Sequence, residues 1–250
     1  MNILACIKRV PSTEAQAKLT ADGTGLDPAG YQYMTSFYDE IAVEEAVKTK
    51  EAHGGEVTVL TIGPSEASKE LRECLAKGGD KAVLLNDGSW LSRDCRATAK
   101  ALAAKIQELG SELVFMGKVA TDRDNAAVGP MVATYLGWPC ITEAVEVEIG
   151  DGQGTAKCET DSGMESYSFS LPAVITCNKG LNEPRYAGLK GIMAAKKKSL
   201  EESDCPAEAS QVQVQQVELP AERQAVKMLG EGVDAIPALI EALRTDAQVL

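Results

Sequence analysis

The chain has 250 residues, 44% hydrophobic and 25% charged, which is ordinary for a globular protein with a sizeable core. A formal net charge of −12 argues against nucleic-acid or anionic-membrane binding, both of which need a basic face. A single histidine, His53, and seven cysteines without a Cys-x-x-Cys pair argue against a Cys/His metal site.

Met1 to Ile7 is apolar but too short for a secretory leader, and Lys8-Arg9 follow it instead of preceding it. Ile3–Val10 reads as a buried strand. Tyr38 to Lys50 reads as a helix that Asp39 can cap, with Ile41, Ala42 and Val47 on one face. Glu56–Ile62 is a strand stopped by Gly63-Pro64, and Ser65 is expected to cap a helix running to Gly78. Lys81–Leu85 is a strand, Asp94–Leu109 a helix stopped by Gly110, Leu113–Met116 a strand, and Asn125–Leu136 a helix. This alternation predicts an α/β fold, a doubly wound and mostly parallel sheet flanked by helices.

From Glu143 the period becomes two. Val145–Ile149, the turn Gly150-Asp-Gly152, Thr155–Glu159 and Ser166–Ser170 predict a small antiparallel addition. Leu171–Cys177 is another apolar strand. Beyond it Leu181 to Lys198 has Pro184, Gly188 and Gly191 among Leu189, Ile192 and Met193. That pattern predicts a loop whose apolar side chains either tuck into the core or are held out for a partner. Leu200–Val217 is polar, and helical periodicity returns only at Val233–Leu243. The expected domains are residues 1–198, an α/β unit, and 199–250, an extended C-terminal arm with a helix.

The cysteines (Cys6, Cys74, Cys95, Cys140, Cys158, Cys177 and Cys205) are odd in number and several lie in apolar runs. They read as buried reduced thiols in a reducing compartment. No segment approaches the ~20 apolar residues of a membrane span. The expected location is the cytoplasm of a bacterium, or the mitochondrial matrix of a eukaryote.

Ligands of doubly wound sheets lie beyond the carboxyl ends of the strands. The candidate loops follow Val10, Ile62 and Gly117. The third, Gly117-Lys-Val-Ala-Thr-Asp-Arg-Asp-Asn-Ala-Ala-Val-Gly-Pro130, runs into a helix. Its small residues let backbone N–H groups approach a phosphate at the helix N-terminus. It is neither a Walker A nor a G-x-G-x-x-G motif, and a plain strand–helix connection has the same look. Reactive chemistry is scarce: His53 sits alone at a helix end, the carboxylates are spaced as solvated faces, and Trp90 and Trp138 read as packing residues. An enzyme acting on a substrate of its own is disfavoured.

The run Leu181-Asn-Glu-Pro-Arg-Tyr-Ala-Gly-Leu-Lys-Gly-Ile-Met-Ala-Ala-Lys-Lys-Lys198 resembles the β subunit of electron transfer flavoproteins. Glu40-Ile-Ala-Val-Glu-Glu-Ala46, Glu159-Thr-Asp-Ser-Gly-Met-Glu165 and Leu171-Pro-Ala-Val-Ile175 resemble it too, in the family's order. The resemblance implies a non-enzymatic electron carrier subunit in a heterodimer with an α subunit whose FAD it helps hold. It would accept electrons from flavin dehydrogenases of the acyl-CoA dehydrogenase type, as in fatty-acid oxidation. It would pass them to a quinone-linked oxidoreductase at a membrane or to a ferredoxin-type acceptor.

Carried over by position, adenine and ribose would lie near Cys6, Ser36, Phe37, Asp39, Ile62 and Gly63. Phosphate would lie near Asn125, Ala126, Ala127, Val128, Gly129, Pro130 and Thr134, and Asp122 would also belong to the cofactor site. Arg185, Tyr186, Leu189, Ile192 and Met193 would form the docking loop, and Glu159 would hold the partner's mobile flavin-bearing part. The implied ligand is AMP in one-flavin members and a second FAD in electron-bifurcating ones. Val128-Gly-Pro130 resembles the bifurcating loop. Ala127, where many members carry Gln, and Gly137-Trp138-Pro139 favour AMP. Two departures stand out: Ser36-Phe37 replaces a frequent Asn-Pro, and Ala127 replaces that Gln. A reading of another class stays open: a stand-alone adenine-nucleotide sensor or hydrolase of similar fold.

Overall fold

The computed structural model describes residues 1–221 and 225–250. The apolar opening run forms two strands instead of one. β1 (Asn2–Cys6) enters the main sheet, and β2 (Arg9–Pro11) pairs antiparallel with β3 (Tyr33–Thr35). The break falls at Lys8, whose N–H donates to Asp39 Oδ2 at 2.8 Å instead of to a neighbouring strand.

The expected alternation follows as α1 (Phe37–His53), β4 (Glu56–Gly63), α2 (Ser68–Lys77), β5 (Lys81–Asn86), α3 (Cys95–Glu108), β6 (Leu113–Gly117) and α4 (Val128–Leu136). Then come β7 (Cys140–Ile149), β8 (Gln153–Thr160), β9 (Gly163–Ser170), β10 (Ala173–Cys177), α5 (Leu189–Ala195), β11 (Leu200–Asp204) and α6 (Ile236–Thr245). The nine-stranded sheet has the order β11-β5-β4-β1-β6-β10-β7-β8-β9. It is parallel from β11 to β7 and antiparallel through β8 and β9.

Both faces of the central parallel strands β1, β4, β5, β6 and β10 are covered, which is why they are apolar runs without strict alternation. On one face α1 and α2 pack Ile41, Ala46, Leu71 and Leu75 against Ile3, Val59 and Phe115. On the other, α3 and α4 pack Leu102, Ile106 and Val132 against Leu4, Leu60 and Val114. The chain leaves β1 toward β4 and β5, then returns through α3 to β6 on the other side of β1. The reversal point of the winding therefore lies between β1 and β6.

Several helix starts differ from expectation. Asp94, read as the first residue of the helix, instead caps α3 from just outside it, accepting from the Ala97 amide at 2.7 Å. Asp39 caps nothing; it is a buried acceptor within α1. Ser65 opens a short 3-10 turn before α2, and its hydroxyl donates to Glu202. The helix expected from Asn125 starts at Val128, because Asp124 (φ 47°) and Ala126 (φ 51°) take left-handed backbone that a right-handed helix excludes.

The sheet also runs past Lys198. Leu200–Asp204, expected to be loose, is the edge strand β11, parallel to β5. Residues 205–211 are then stitched to the segment before and at the start of α3. Arg93 donates to Cys205 Sγ and the Pro206 carbonyl, Glu208 pairs with Arg96 and Lys100, and the Gln211 amide donates to Asp94. Beyond that point α6 buries none of its residues, although Ile236, Leu239 and Ile240 are apolar. Limited proteolysis of the isolated chain should therefore cut C-terminal to Gln211 and leave a folded core containing β11. A stable core ending before Leu200, read by mass spectrometry, would contradict the placement of that strand.

Candidate functional site

The carboxyl ends of β1, β4 and β6 open into a cleft. Its apolar floor includes Cys6, Ile62, Leu102, Met116 and Val128. Burial pushes the Cys6 thiol far up, with the Asp39 charge adding, so Cys6 is a packing group there and no nucleophile.

Asp39 ties the cleft together. One carboxylate oxygen accepts the Lys8 amide at 2.8 Å and the other the Gly117 amide at 2.9 Å, joining α1 to the ends of β1 and β6. Gly117 is required for that approach: a Cβ there would lie 2.5 Å from Asp39 Oδ1 and 2.8 Å from Tyr38 Cβ. Burial dominates the Asp39 ionisation and pushes its carboxyl up to about 7. The two amides and the Lys8 charge pull it back down only in part. Ser36, fully buried, faces the same loop and accepts the Thr121 amide on its hydroxyl at 3.3 Å.

The loop from Lys118 to Ala127 forms the second edge. Among the described residues, no protein acceptor takes the amides of Asn125, Ala126, Ala127, Val128 and Gly129. Five successive free N–H groups at the N-terminus of α4 are a ready site for an anion. Left-handed backbone at Asp124 and Ala126, costly for residues other than glycine, shapes the loop that offers them.

The cleft brings together most of the nucleotide-site residues expected from sequence: Cys6, Asp39, Ile62, Asp122, Asn125, Ala126, Ala127, Val128 and Gly129. Five others stand outside it. Phe37 is exposed with its ring edge-on to Tyr38, Ser36 acts through Thr121, and Gly63 ends β4 against Ala67. Pro130 lies within α4, and Thr134 returns its hydroxyl to the Pro130 carbonyl at 2.8 Å. Gly129 also has a structural duty, since a Cβ there would lie 2.5 Å from Thr176 Cγ2 on β10.

A whole wall was missed. Trp90, Leu91, Arg93, Cys95 and Thr98, from the segment after β5, line the cleft, as do Lys8, Lys118 and Arg123. Trp90, read from sequence as packing only, does both: it packs edge-on to Tyr33 and lines the site. Nothing in the local pattern of residues 87–98 marks it as a site, apart from its place after a strand.

A second surface lies on the α2 side. Arg185 is no free docking residue: its guanidinium is clamped to Glu44 and Glu51 of α1, and its amide donates to Glu44 at 3.1 Å. Asn182 donates to the Ile41 carbonyl and to Glu45, fixing the loop again. The following residues form the short helix α5, seated so closely on α2 that a Cβ at Gly191 would lie 2.3 Å from the Ala76 carbonyl oxygen. Arg72 closes its far end by donating to the Ala195 and Lys198 carbonyls. On this rigid base Tyr186 and Leu189 are 98% and 77% exposed, and Ile192 and Met193 are exposed beside them. Glu159 is exposed on β8, opposite Met164 of β9, and lines neither the cleft nor the α5 patch.

A doubly wound sheet with a cleft at its reversal point defines an α/β protein of the kind that places ligand sites beyond the carboxyl ends of its strands. The electron transfer flavoprotein domain matches residues 31–208, well over half the chain. The electron transfer flavoprotein subunit beta of Bacillus subtilis (strain 168) is 36% identical over 259 residues, covering 100% of both chains. That of Mycobacterium bovis is 41% identical over 205 residues, 80% of this chain and 77% of its own. A probable electron transfer flavoprotein subunit beta of Saccharomyces cerevisiae is 36% identical over 250 residues, 98% and 96% of the two chains. The chain belongs to the electron transfer flavoprotein β-subunit family. No helix among the described residues is long and apolar enough to cross a membrane.

Asp39 generates a prediction with a definite sign. Its folded value lies above that of an unfolded aspartate, so between about pH 4 and 7 the folded chain holds a proton the unfolded chain has released. Its contribution to stability is full at the acid end and falls as pH rises through 7. Asp39→Asn should lower stability by about 1–3 kcal/mol, because an amide cannot accept from both N–H groups. Urea unfolding should show the gap to wild type narrowing from pH 5 to pH 8; a widening gap would contradict the assignment.

Proposed function

We propose that this chain is the β subunit of a heterodimeric electron transfer flavoprotein: a carrier that binds AMP structurally, helps hold FAD with an α subunit, and docks on flavin dehydrogenases. The observation that carries the nucleotide part is the row of unpaired amides from Asn125 to Gly129 beside an apolar floor. Those donors suit a phosphate and that floor suits a base. Ala127 brings no hydrogen-bonding side chain to the cleft, which favours AMP over a second FAD. When bound, FAD supplies the redox chemistry. The residues of this chain position ligands and partners and keep water from the cleft floor.

The exposed end of the arm supports the partner reading. Among the described residues the apolar face of α6 at Ile236, Leu239 and Ile240 is exposed, and an α subunit would cover it. Heat denaturation of the co-purified complex should release AMP and FAD in equal amounts, counted by chromatography. FAD at twice that level with no AMP would instead establish the electron-bifurcating reading. A chain that purifies alone, binds adenine nucleotide and stays colourless would favour the stand-alone sensor or hydrolase.

Docking is assigned to the apolar patch on α5, with Leu189 as its anchor. A leucine side chain buried on contact contributes about 1.5–3 kcal/mol, or one to two decades of affinity. A small patch also suits a carrier that must release quickly. Leu189 is exposed, so Leu189→Ala should leave the melting temperature, FAD content and reduction by dithionite nearly unchanged. Dehydrogenase-coupled flavin reduction should fall about tenfold or more. A fall of several degrees in melting temperature with loss of FAD would show that Leu189 is a core residue. Glu159→Ala, by contrast, should change transfer rate more than docking affinity.

A further inference from the structure

Four cationic side chains line the cleft: Lys8, Arg93, Lys118 and Arg123. Three already face carboxylates. Lys8 pairs with Asp122 at 2.7 Å, Arg93 with Asp87 at 2.8 Å, and Lys118 with Glu143 at 2.9 Å. Among the described residues Arg123 is the one cleft cation without a carboxylate partner, in a chain whose net charge is −12.

Its hydrogen bond runs across the cleft, from the guanidinium to the main-chain carbonyl of Leu91 on the opposite wall. A neutral carbonyl is a weaker partner for a guanidinium than an anion, and it leaves the fork's other donors unused. Arg123 also lies two residues before the five unpaired amides, at the head of the left-handed stretch that shapes their loop. A cation and a row of free N–H groups thus converge on one cleft from one short segment.

We propose that Arg123 is a positioning residue for the phosphate of the nucleotide, giving up the Leu91 carbonyl to make charge-assisted hydrogen bonds with the phosphate that the loop amides also hold. This rests on the nucleotide reading above. Arg123 adds discrimination to it: a phosphorylated nucleoside gains from both the amides and the guanidinium, whereas the bare nucleoside gains from neither. The Arg123–Leu91 bond is then the resting position of a strap that binds either the far wall or the ligand.

The test uses the nucleotide-depleted heterodimer, with AMP and adenosine as probes in titration calorimetry. Arg123→Ala should weaken AMP about 10- to 100-fold, the range for losing hydrogen bonds to a charged group, and change adenosine less than about twofold. Arg123→Lys should fall between, keeping the charge but losing the planar fork. The salt dependence of AMP binding should become shallower in Arg123→Ala. An unchanged preference for AMP over adenosine in Arg123→Ala would overturn the proposal while leaving the nucleotide site standing. Equal loss of both probes would reduce Arg123 to a structural role. Wild-type protein that shows no preference for AMP over adenosine, or binds neither, would overturn the underlying site reading and the proposal with it.

Discussion

The double acceptance by Asp39 of the Lys8 and Gly117 amides is the constraint on which the site depends. β1 and β6 are neighbours whose chains must part at their carboxyl ends, one turning toward β2 and the other into the Lys118–Ala127 loop. A parted pair of strands leaves two N–H groups without ladder partners in a buried place, and such groups are costly if unmet. A single buried carboxyl from the first turn of α1 meets both. The ends of β1 and β6 and the start of α1 are thereby held at fixed distances, and the cleft between them has a defined width.

That arrangement separates two demands that conflict elsewhere in the fold. Donors within the protein are satisfied by Asp39, Ser36 and the sheet, whereas the donors from Asn125 to Gly129 are left without protein partners. A row of amides without protein partners, beside a carboxyl that already meets two others, suits an anion. The exposed patch on α5 follows the same logic in apolar form. Arg185, Asn182 and Arg72 fasten the chain on both sides of α5, so that Leu189, Ile192 and Met193 can stay exposed without collapsing onto α2. The cost of holding apolar groups in water falls on an element anchored by buried and half-buried ion pairs.

Much of this was legible in the sequence, and the failures have physical causes. The α/β alternation was readable because strands buried on both faces must be apolar runs, and Gly110 marks the end of α3. β11 was missed because Leu200-Glu-Glu-Ser-Asp204 has one apolar residue; an edge strand can be recruited by main-chain pairing to β5 alone. The start of α4 was misplaced because small residues and Asn read as helix-compatible, while the fold holds Asp124 and Ala126 in left-handed backbone. Arg185 looked like a docking residue because its partners, Glu44 and Glu51, are distant in sequence and carry no local mark. The Trp90–Thr98 wall escaped for a related reason: it is a site only by virtue of where β5 sits relative to β1.

The central claim is that the loop before α4 is a phosphate-binding element of a nucleotide site, with the Trp90–Thr98 segment as its opposite wall. Hydrogen exchange of the heterodimer, with and without added AMP, tests this most directly, because the amides in question have no protein acceptors to slow them. The expected result is strong protection over Asn125–Gly129, weaker protection over Trp90–Thr98, and little change in the β7–β9 strands. Unchanged exchange at Asn125–Gly129, or protection centred on β8 and β9, would contradict it.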